Sequence, residues 1–559
     1  MKGFRRILIL FILISISFVF ADKIGPWSHF KAITSNFTVN SGDTLIINAG
    51  TEVRFNPGTI MSIFGVVLSN GTSSDPVVFA PLDPTNSEWG GITIQNTDPL
   101  QISVFNSTIF TNIYSYGDGA INIEESSVDF NNCKFLGNHA DVHGGAVFVS
   151  AGIVNFSSCI FRNNNADQGG GIYIYNDPLE AASVITISDC SFLANNASQG
   201  GGIYIEDLDQ PIPNMTVSVE NSKFYYNKAT LNGGGLYFNI ASHIDLTLKY
   251  CEIKFNDAVE SGGGIFTKFI GSDPFDVLPQ RYLNLLVVQN SSTDGGGIFF
   301  HSGLINNPSE LKFNNLTIAY NKVTASGPEK DGGGIHIVSN DNSPVINNSI
   351  LWGNASTGEW NQFFIEDITG PNLNGIFPYC DIENGDWFGY EGLTVDPIFI
   401  RPPLVAENTL LSADRFDYHL AIYSLCIDAG DPFFFPIEER NPPLNMGAYG
   451  NTTQATPPPS IADIFPFVTM TDINVGDFGV TIIDFQGKSG KAIIDNINLG
   501  QGSQLLLKNS LLMDTLEVKS FTTTPQKYSK IFTDDRIVVQ KVIDSVDAIT
   551  KTLTITENA

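Results

Sequence analysis

Along most of the chain, hydrophobic and polar residues alternate in short runs, as in Ser183-Val-Ile-Thr-Ile-Ser188 and Asp245-Leu-Thr-Leu-Lys-Tyr250. Runs of period two, rich in β-branched residues and bounded by Gly, Asn and Asp, predict short strands joined by polar turns. Between them no stretch carries helical periodicity with caps. That excludes leucine-rich, ankyrin and tetratricopeptide arrays, each of which needs a helix in every repeat.

Two signals recur in constant phase. A Gly-rich hexamer begins at Gly144 (GGAVFV) and returns at Gly169, Gly200, Gly233, Gly262, Gly295 and Gly332; from the second copy the starts are 31, 33, 29, 33 and 37 residues apart. Between copies lies an FxxN unit: FLGN ending at Asn138, FRNN at Asn164, FLAN at Asn195 and FYYN at Asn227. Degenerate versions end at Asn256, Asn290, Asn321 and Asn354. Repeats of this length mean a solenoid. With strand-forming content, each repeat is one coil of a parallel β-helix, and variable segments such as Asp207–Pro213 and Gly271–Arg281 are insertions at a turn. The glycines suit corners that need positive φ or close approach to the next coil. The Asn column reads as a structural ladder, since Asn tolerates the left-handed conformation and its amide can bond neighbouring coils. Cys133, Cys159, Cys190 and Cys251 sit five residues before Asn138, Asn164, Asn195 and Asn256, with Ser222 and Ser349 in the same place elsewhere. One coil position filled by Cys or Ser predicts small inward side chains and free thiols rather than disulfides.

These units, Gly144-Gly-Ala-Val147 with Phe135-Leu-Gly-Asn138 above all, resemble the repeats of the polymorphic outer-membrane protein family over roughly residues 117–354. The resemblance implies a right-handed, pectin-lyase-like β-helix displayed outside the cell, adhesive in role. The chain departs from that family in showing no C-terminal membrane β-barrel. Val395-Asp-Pro-Ile-Phe399, Asp417-Tyr-His-Leu420, Ser424–Asp431 and Met446-Gly-Ala-Tyr449, in that order, resemble the closing segment of choice-of-anchor β-helix surface proteins. Arg440 only loosely echoes the arginine such segments carry. The resemblance marks residues 395–452 as the end of the helix, after an opening cap at 22–116 and repeat coils at 117–394. Thr453–Ser460 is a Pro-rich linker. Residues 461–559 alternate without the repeat and predict a small, immunoglobulin-like β-sandwich.

Charge narrows the partners. Asp and Glu number 58 against 29 Lys and Arg, a net charge of −29. Phosphate polymers and anionic lipid are therefore poor partners. Lys2, Arg5 and Arg6 precede an apolar run, Ile7–Phe20, ending in Val19-Phe20-Ala21, the pattern of a secretory signal over residues 1–21. Its removal takes three cations and no acids, leaving −32, and no second stretch is apolar enough to span a bilayer. The expected location is secreted or outer cell surface.

Candidate chemistry is sparse. His29, His139, His143, His243, His301, His336 and His419 form no HxxxH or HExxH group, and no CxxC appears. His139 and His143, four apart in a turn, read as solvated rather than metal-binding. Asp428 and Asp431 could hold Ca²⁺, but they serve a turn equally well. Asp257 and Glu260 near Lys254 are the nearest approach to a lyase or hydrolase cluster, and their spacing does not single them out. No catalytic residue, metal or cofactor is assigned. The sharper feature is a ring column, Phe148, Tyr173, Tyr204, Tyr237, Phe266, Phe299 and His336, opposite in direction to the aliphatics beside it. Facing outward, it would form a glycan-binding stripe; otherwise its rings stack on each other or lie covered. The sequence thus points to a non-catalytic adhesin-like or glycan-binding protein whose partner is a polysaccharide or a host or neighbouring cell surface. A polysaccharide lyase or hydrolase on the same scaffold is one alternative. A structural spacer, favoured by a buried ring column, is the other.

Overall fold

The computed structural model describes residues 22–450 with gaps, the longest at 271–277, 302–310, 368–375, 385–391, 403–415 and 432–444, and beyond 450 only the backbone of eight strands. The expected signal at 1–21 and the linker at 453–460 lie outside the described residues. The chain divides into two compact units, Met1–Ala455 and Thr456–Ala559.

The first unit is a three-sided coil. Strands one coil apart pair in parallel into sheets of 12, 13 and 12 strands. In a typical coil, Ser126–Asn131 lies in the first sheet, Lys134–Leu136 in the second and Val147–Val149 in the third. Alternation decides what points inward. The first sheet contributes Val128 and Phe130, then Val154 and Phe156, then Ile185 and Ile187, all fully buried. The second contributes a single ring per coil, and this is the Phe of FxxN. Phe135, Phe161, Phe192 and Phe224 stack almost parallel, with centroids 4.5, 4.6 and 4.7 Å apart, close to the strand spacing of a sheet. One apolar core runs from Trp27 to Ile382.

Three corners close each coil. Between the first and second sheets one residue is left-handed: Asn132, Ser158, Asp189, Asn221, Tyr250, Asn284, Asn315 and Asn348 in successive coils. The next corner uses the residue before the ladder Asn (Gly137, Asn163, Ala194, Tyr226, Phe255, Gln289, Tyr320, Gly353). The expectation that the ladder Asn itself adopts positive φ is therefore corrected by one position. The third corner is the Gly run. Gly233 has φ +67°, and a Cβ on Gly234 would lie 2.4 Å from the Gly263 carbonyl oxygen, so the first glycine turns the chain and the second lets coils approach.

Among the described residues of 395–450, no strand joins the three parallel sheets. Phe399–Arg401 and Asp417–Leu420 form an antiparallel pair, and their apolar side chains pack on the outer surface of the second sheet. Phe399, Phe416, Tyr418, Leu420, Cys426, Met446 and Ala448 bury Leu286, Val288, Ala319 and Ile350. In earlier coils the matching outward positions are mixed, Lys134, Ile160, Ser191 and Lys223 in one column and Leu136, Arg162, Leu193 and Tyr225 in the other.

In the second unit, successive strands mostly alternate between two four-stranded sheets. Thr469–Val475 pairs in parallel with Lys491–Leu499, and that strand with Thr515–Thr523. Val480–Asp484, Gln504–Lys508 and Ser529–Thr533 pair likewise. Of the eight described strands, only the last two join antiparallel. An immunoglobulin sandwich is built from antiparallel sheets, so the expected immunoglobulin-like module is not the arrangement found.

Candidate functional site

The ladder is assembled as its spacing requires. Asn138, Asn164, Asn195, Asn227, Asn256, Asn290, Asn321 and Asn354 are all buried, none more than 4% exposed. Asn195 shows the unit. Its backbone N–H and its side-chain Nδ2 both donate to Asn227 Oδ1, each at 3.0 Å, and Nδ2 also donates to the Phe161 carbonyl at 3.0 Å. The pattern begins where the Ile113 N–H donates to Asn138 Oδ1 and ends where Asn354 Nδ2 donates to Gln362 Oε1. With each Oδ1 accepting and each Nδ2 donating inside the stack, the ladder ties coils together and has nothing left to offer a ligand.

The Cys column behaves similarly. All six cysteines are buried free thiols. The Cys159 N–H points at Cys190 Sγ (3.3 Å), the Cys190 N–H donates to Ser222 Oγ (3.1 Å), and the Leu316 N–H to Ser349 Oγ (3.0 Å). Sulfur and hydroxyl thus fill one role. Cys380, which lacks the spacing that marked the others, continues the column after a left-handed Tyr379. Burial pushes the Cys251 and Cys380 thiols up to about 12, far from a reactive thiolate.

The ring column lies outside the core, as alternation predicts, but it is closed. Phe148, Tyr173, Tyr204, Tyr237 and Phe266 form a cluster of their own, each at most 8% exposed. Successive centroids from Phe148 to Phe299 are 5.5, 4.9, 4.6, 4.7 and 5.1 Å apart with the planes within 11°. His336 breaks the parallel stacking, edge-on between Phe299 and Phe364, and is buried on Asp294, with Nδ1 2.6 Å from Oδ1. Tyr173 donates its hydroxyl to Glu206. Burial raises the hydroxyl pKa of Tyr173 and Tyr204 well above the usual value and that of Tyr237 to about 12. Sugar stacking needs an open ring face, and each coil covers the face of the last.

Comparison with known proteins bears on the coil. The family described as "right handed beta helix region" matches residues 65–248 and 120–361, together more than half of the 559 residues. The chain belongs to the right-handed β-helix family. Two solved structures of a PL6 family alginate lyase, one of them a mutant, are similar to this β-helix at 11% and 10% identity. They cover 87% of this chain and 73% and 68% of theirs, with a TM-score of 0.25 in both cases. That likeness carries no argument about chemistry. No curated protein matches the sequence.

The remaining candidates of this β-helix are placed plainly. Lys254 does not meet Asp257 and Glu260 in a cleft. It is buried, with Nζ 2.6 Å from Glu252 Oε2 and 6.0 Å from the Tyr418 ring centroid. Burial opposes the Glu252 carboxylate, but Lys254 and a hydrogen bond from Tyr225 hold it below the usual range. Asp257 accepts from Ser291 Oγ at 2.5 Å, and Glu260 is exposed. His139 and His143 pair with different carboxylates, Asp141 at 3.2 Å and Asp118 at 2.7 Å. Asp428 lies outside the described residues, while the Asp431 N–H donates to Asn348 Oδ1 (2.7 Å). A cavity of about 10 Å³ by Tyr418 and Tyr449 holds at most one water. Residue spacing missed one group, the half-buried Tyr114 and the exposed Tyr116 beside His139 and Asp141. They stand outside the FxxN and Gly columns, and the only signal for them is two tyrosines in a short polar turn.

Proposed function

We propose that the protein is an extracellular, adhesin-like β-helix that binds a glycan on its outer surface without catalysis. The observation that supports this most is the closure of the repeat side chains: the Asn ladder, the Cys column and the ring column each bond to their own equivalents. Function is left to the outward walls of a stiff coil. The secretory pattern at residues 1–21 and the resemblance to polymorphic outer-membrane repeats support surface display. A pull-down of the protein with insoluble and gel-immobilised plant, algal and bacterial polysaccharides tests the reading. Retention on at least one glycan is expected; passage through all of them contradicts it. The closed ring column favours a second reading, a structural spacer, which that negative result would leave standing.

A further inference from the structure

Nearly every ring of the coil is covered, but Tyr116 is 84% exposed. It sits edge-on to Tyr114, centroids 4.9 Å apart at 64°, and Tyr114 in turn stacks on His139 at 4.7 Å and 21°. These residues lie at one end of a side column. Tyr114 pairs in register with His139, and His139 with Asn165; then come Asn196, Lys228 and Asp257, all polar. The coil before has no ring in register with Tyr114, since Trp89, fully buried, bridges Ile113 instead. The stack therefore ends in solvent with the Tyr116 faces open.

Polar groups beside the rings are fixed. Asn165 Nδ2 donates to His139 Nδ1 at 2.9 Å, which places the imidazole proton on Nε2, facing Asp141 Oδ1 at 3.2 Å. The Tyr114 hydroxyl donates to the same Oδ1 at 2.8 Å, and this bond is the main cause raising the Tyr114 pKa. Asp141 Oδ1 thus accepts twice, while no described residue donates to Oδ2 of a side chain that is 38% exposed. An open ring face next to an oriented, unfilled acceptor matches the two surfaces of a sugar, its C–H face and its hydroxyl edge. Glu88 adds further negative charge beside Tyr114.

We infer that Tyr116, Tyr114 and Asp141 form a binding site for an uncharged sugar unit of a glycan, the ring stacking on Tyr116 and a hydroxyl donating to Asp141 Oδ2. This rests on the glycan-binding reading and names its site and ligand class; carboxylated and sulfated sugars are disfavoured by the surrounding acids.

The test is affinity electrophoresis of the whole protein through gels holding neutral polysaccharides (β-glucan, mannan, xylan) or polyuronates, comparing wild type with Tyr116→Ala, Asp141→Asn and, on another wall, Lys223→Ala. Tyr116 is exposed, so its replacement leaves the core intact, and circular dichroism melts verify this. Retardation by a neutral polysaccharide, weakened about tenfold by Tyr116→Ala and unchanged by Lys223→Ala, is the expected result. Equal retardation of wild type and Tyr116→Ala would overturn the site while leaving glycan binding in place. Retardation by polyuronates alone would overturn the ligand class. No retardation in any gel would overturn both inference and reading.

Discussion

The repeat coils and segment 395–450 are held by opposite means. In the coils each side chain meets its own equivalent one turn on, Asn on Asn, Phe on Phe, thiol on thiol or hydroxyl. The described residues of the segment have no such register and are held by individual bonds to the outer face of the coil. Asn284 Nδ2 donates to the carbonyls of Ala448 and Gly450 at 3.1 and 2.6 Å, Asn315 Nδ2 to Asn445 at 3.1 Å, and Thr317 Oγ1 accepts from the Ala448 N–H at 2.9 Å. A Cβ on Gly447 would come within 2.8 Å of Ile350 and closer still to Thr317, which explains the glycine of Met446-Gly-Ala-Tyr449. Periodic bonding makes the coil cooperative along its length. A laterally docked strap can detach while the coil persists.

The largest expected effect lies in the ladder. Asn227→Ala leaves the Asn195 N–H and Nδ2 without their shared acceptor in a dry corner, and should cost about 3 kcal/mol in denaturant unfolding of the coil. Thr317→Val leaves the buried Ala448 N–H without its acceptor and should cost about 2 kcal/mol at the strap, with the coil untouched. Limited proteolysis reads the difference: faster cleavage within 395–450, unchanged resistance over 126–354. Equal loosening of both regions would break the comparison.

A pH dependence sharpens it. Asp381 is fully buried beneath the strap, accepting from Cys426 Sγ and the Val395 N–H, and burial pushes its carboxyl up to about 6. An unfolded Asp titrates near ~3.9. The folded state thus holds the proton more tightly, so this stabilisation is full below about pH 4 and is lost as pH rises through about 6. Thermal melts should show strap attachment weakening by about 1–2 kcal/mol from pH 4 to pH 7, and Asp381→Asn should flatten that slope. Smallest of all, Cys190→Ser should change stability by less than about 1 kcal/mol, because Ser222 already fills that role one coil on.

The coil was largely legible in the sequence because every signal it needs is periodic. Phe135 and Asn138 recur at a spacing that only stacking explains. The ring column shows where such reasoning ran short. Alternation fixed the direction of Tyr173 and Tyr204, but at about 4.8 Å between strands parallel rings must cover one another. Their closure was implicit in the same geometry. The left-handed corner was placed one residue late because Asn itself suggested the conformation, whereas its amide is needed for the ladder and Ala194, Tyr226 or Phe255 takes the strain. The strap's docking was not legible, because the outward positions it covers, Leu286, Val288 and Ile350, follow apolar residues such as Ile160 and Leu193 at the same register in coils it does not touch. Parallel and antiparallel strands alternate alike, so the pattern after residue 460 could not tell a sandwich from the parallel pairing found. Tyr114 and Tyr116 belong to no repeat, and only the exposure of Tyr116 near Asp141 brings them out.

The central claim is binding without chemistry, and release of new reducing ends tests it most directly. Purified protein, with Ca²⁺ present, is incubated at catalytic levels with the same polysaccharide panel over hours. The account predicts retention on a neutral glycan with no reducing ends above the protein-free control. Sustained release from any substrate would contradict it.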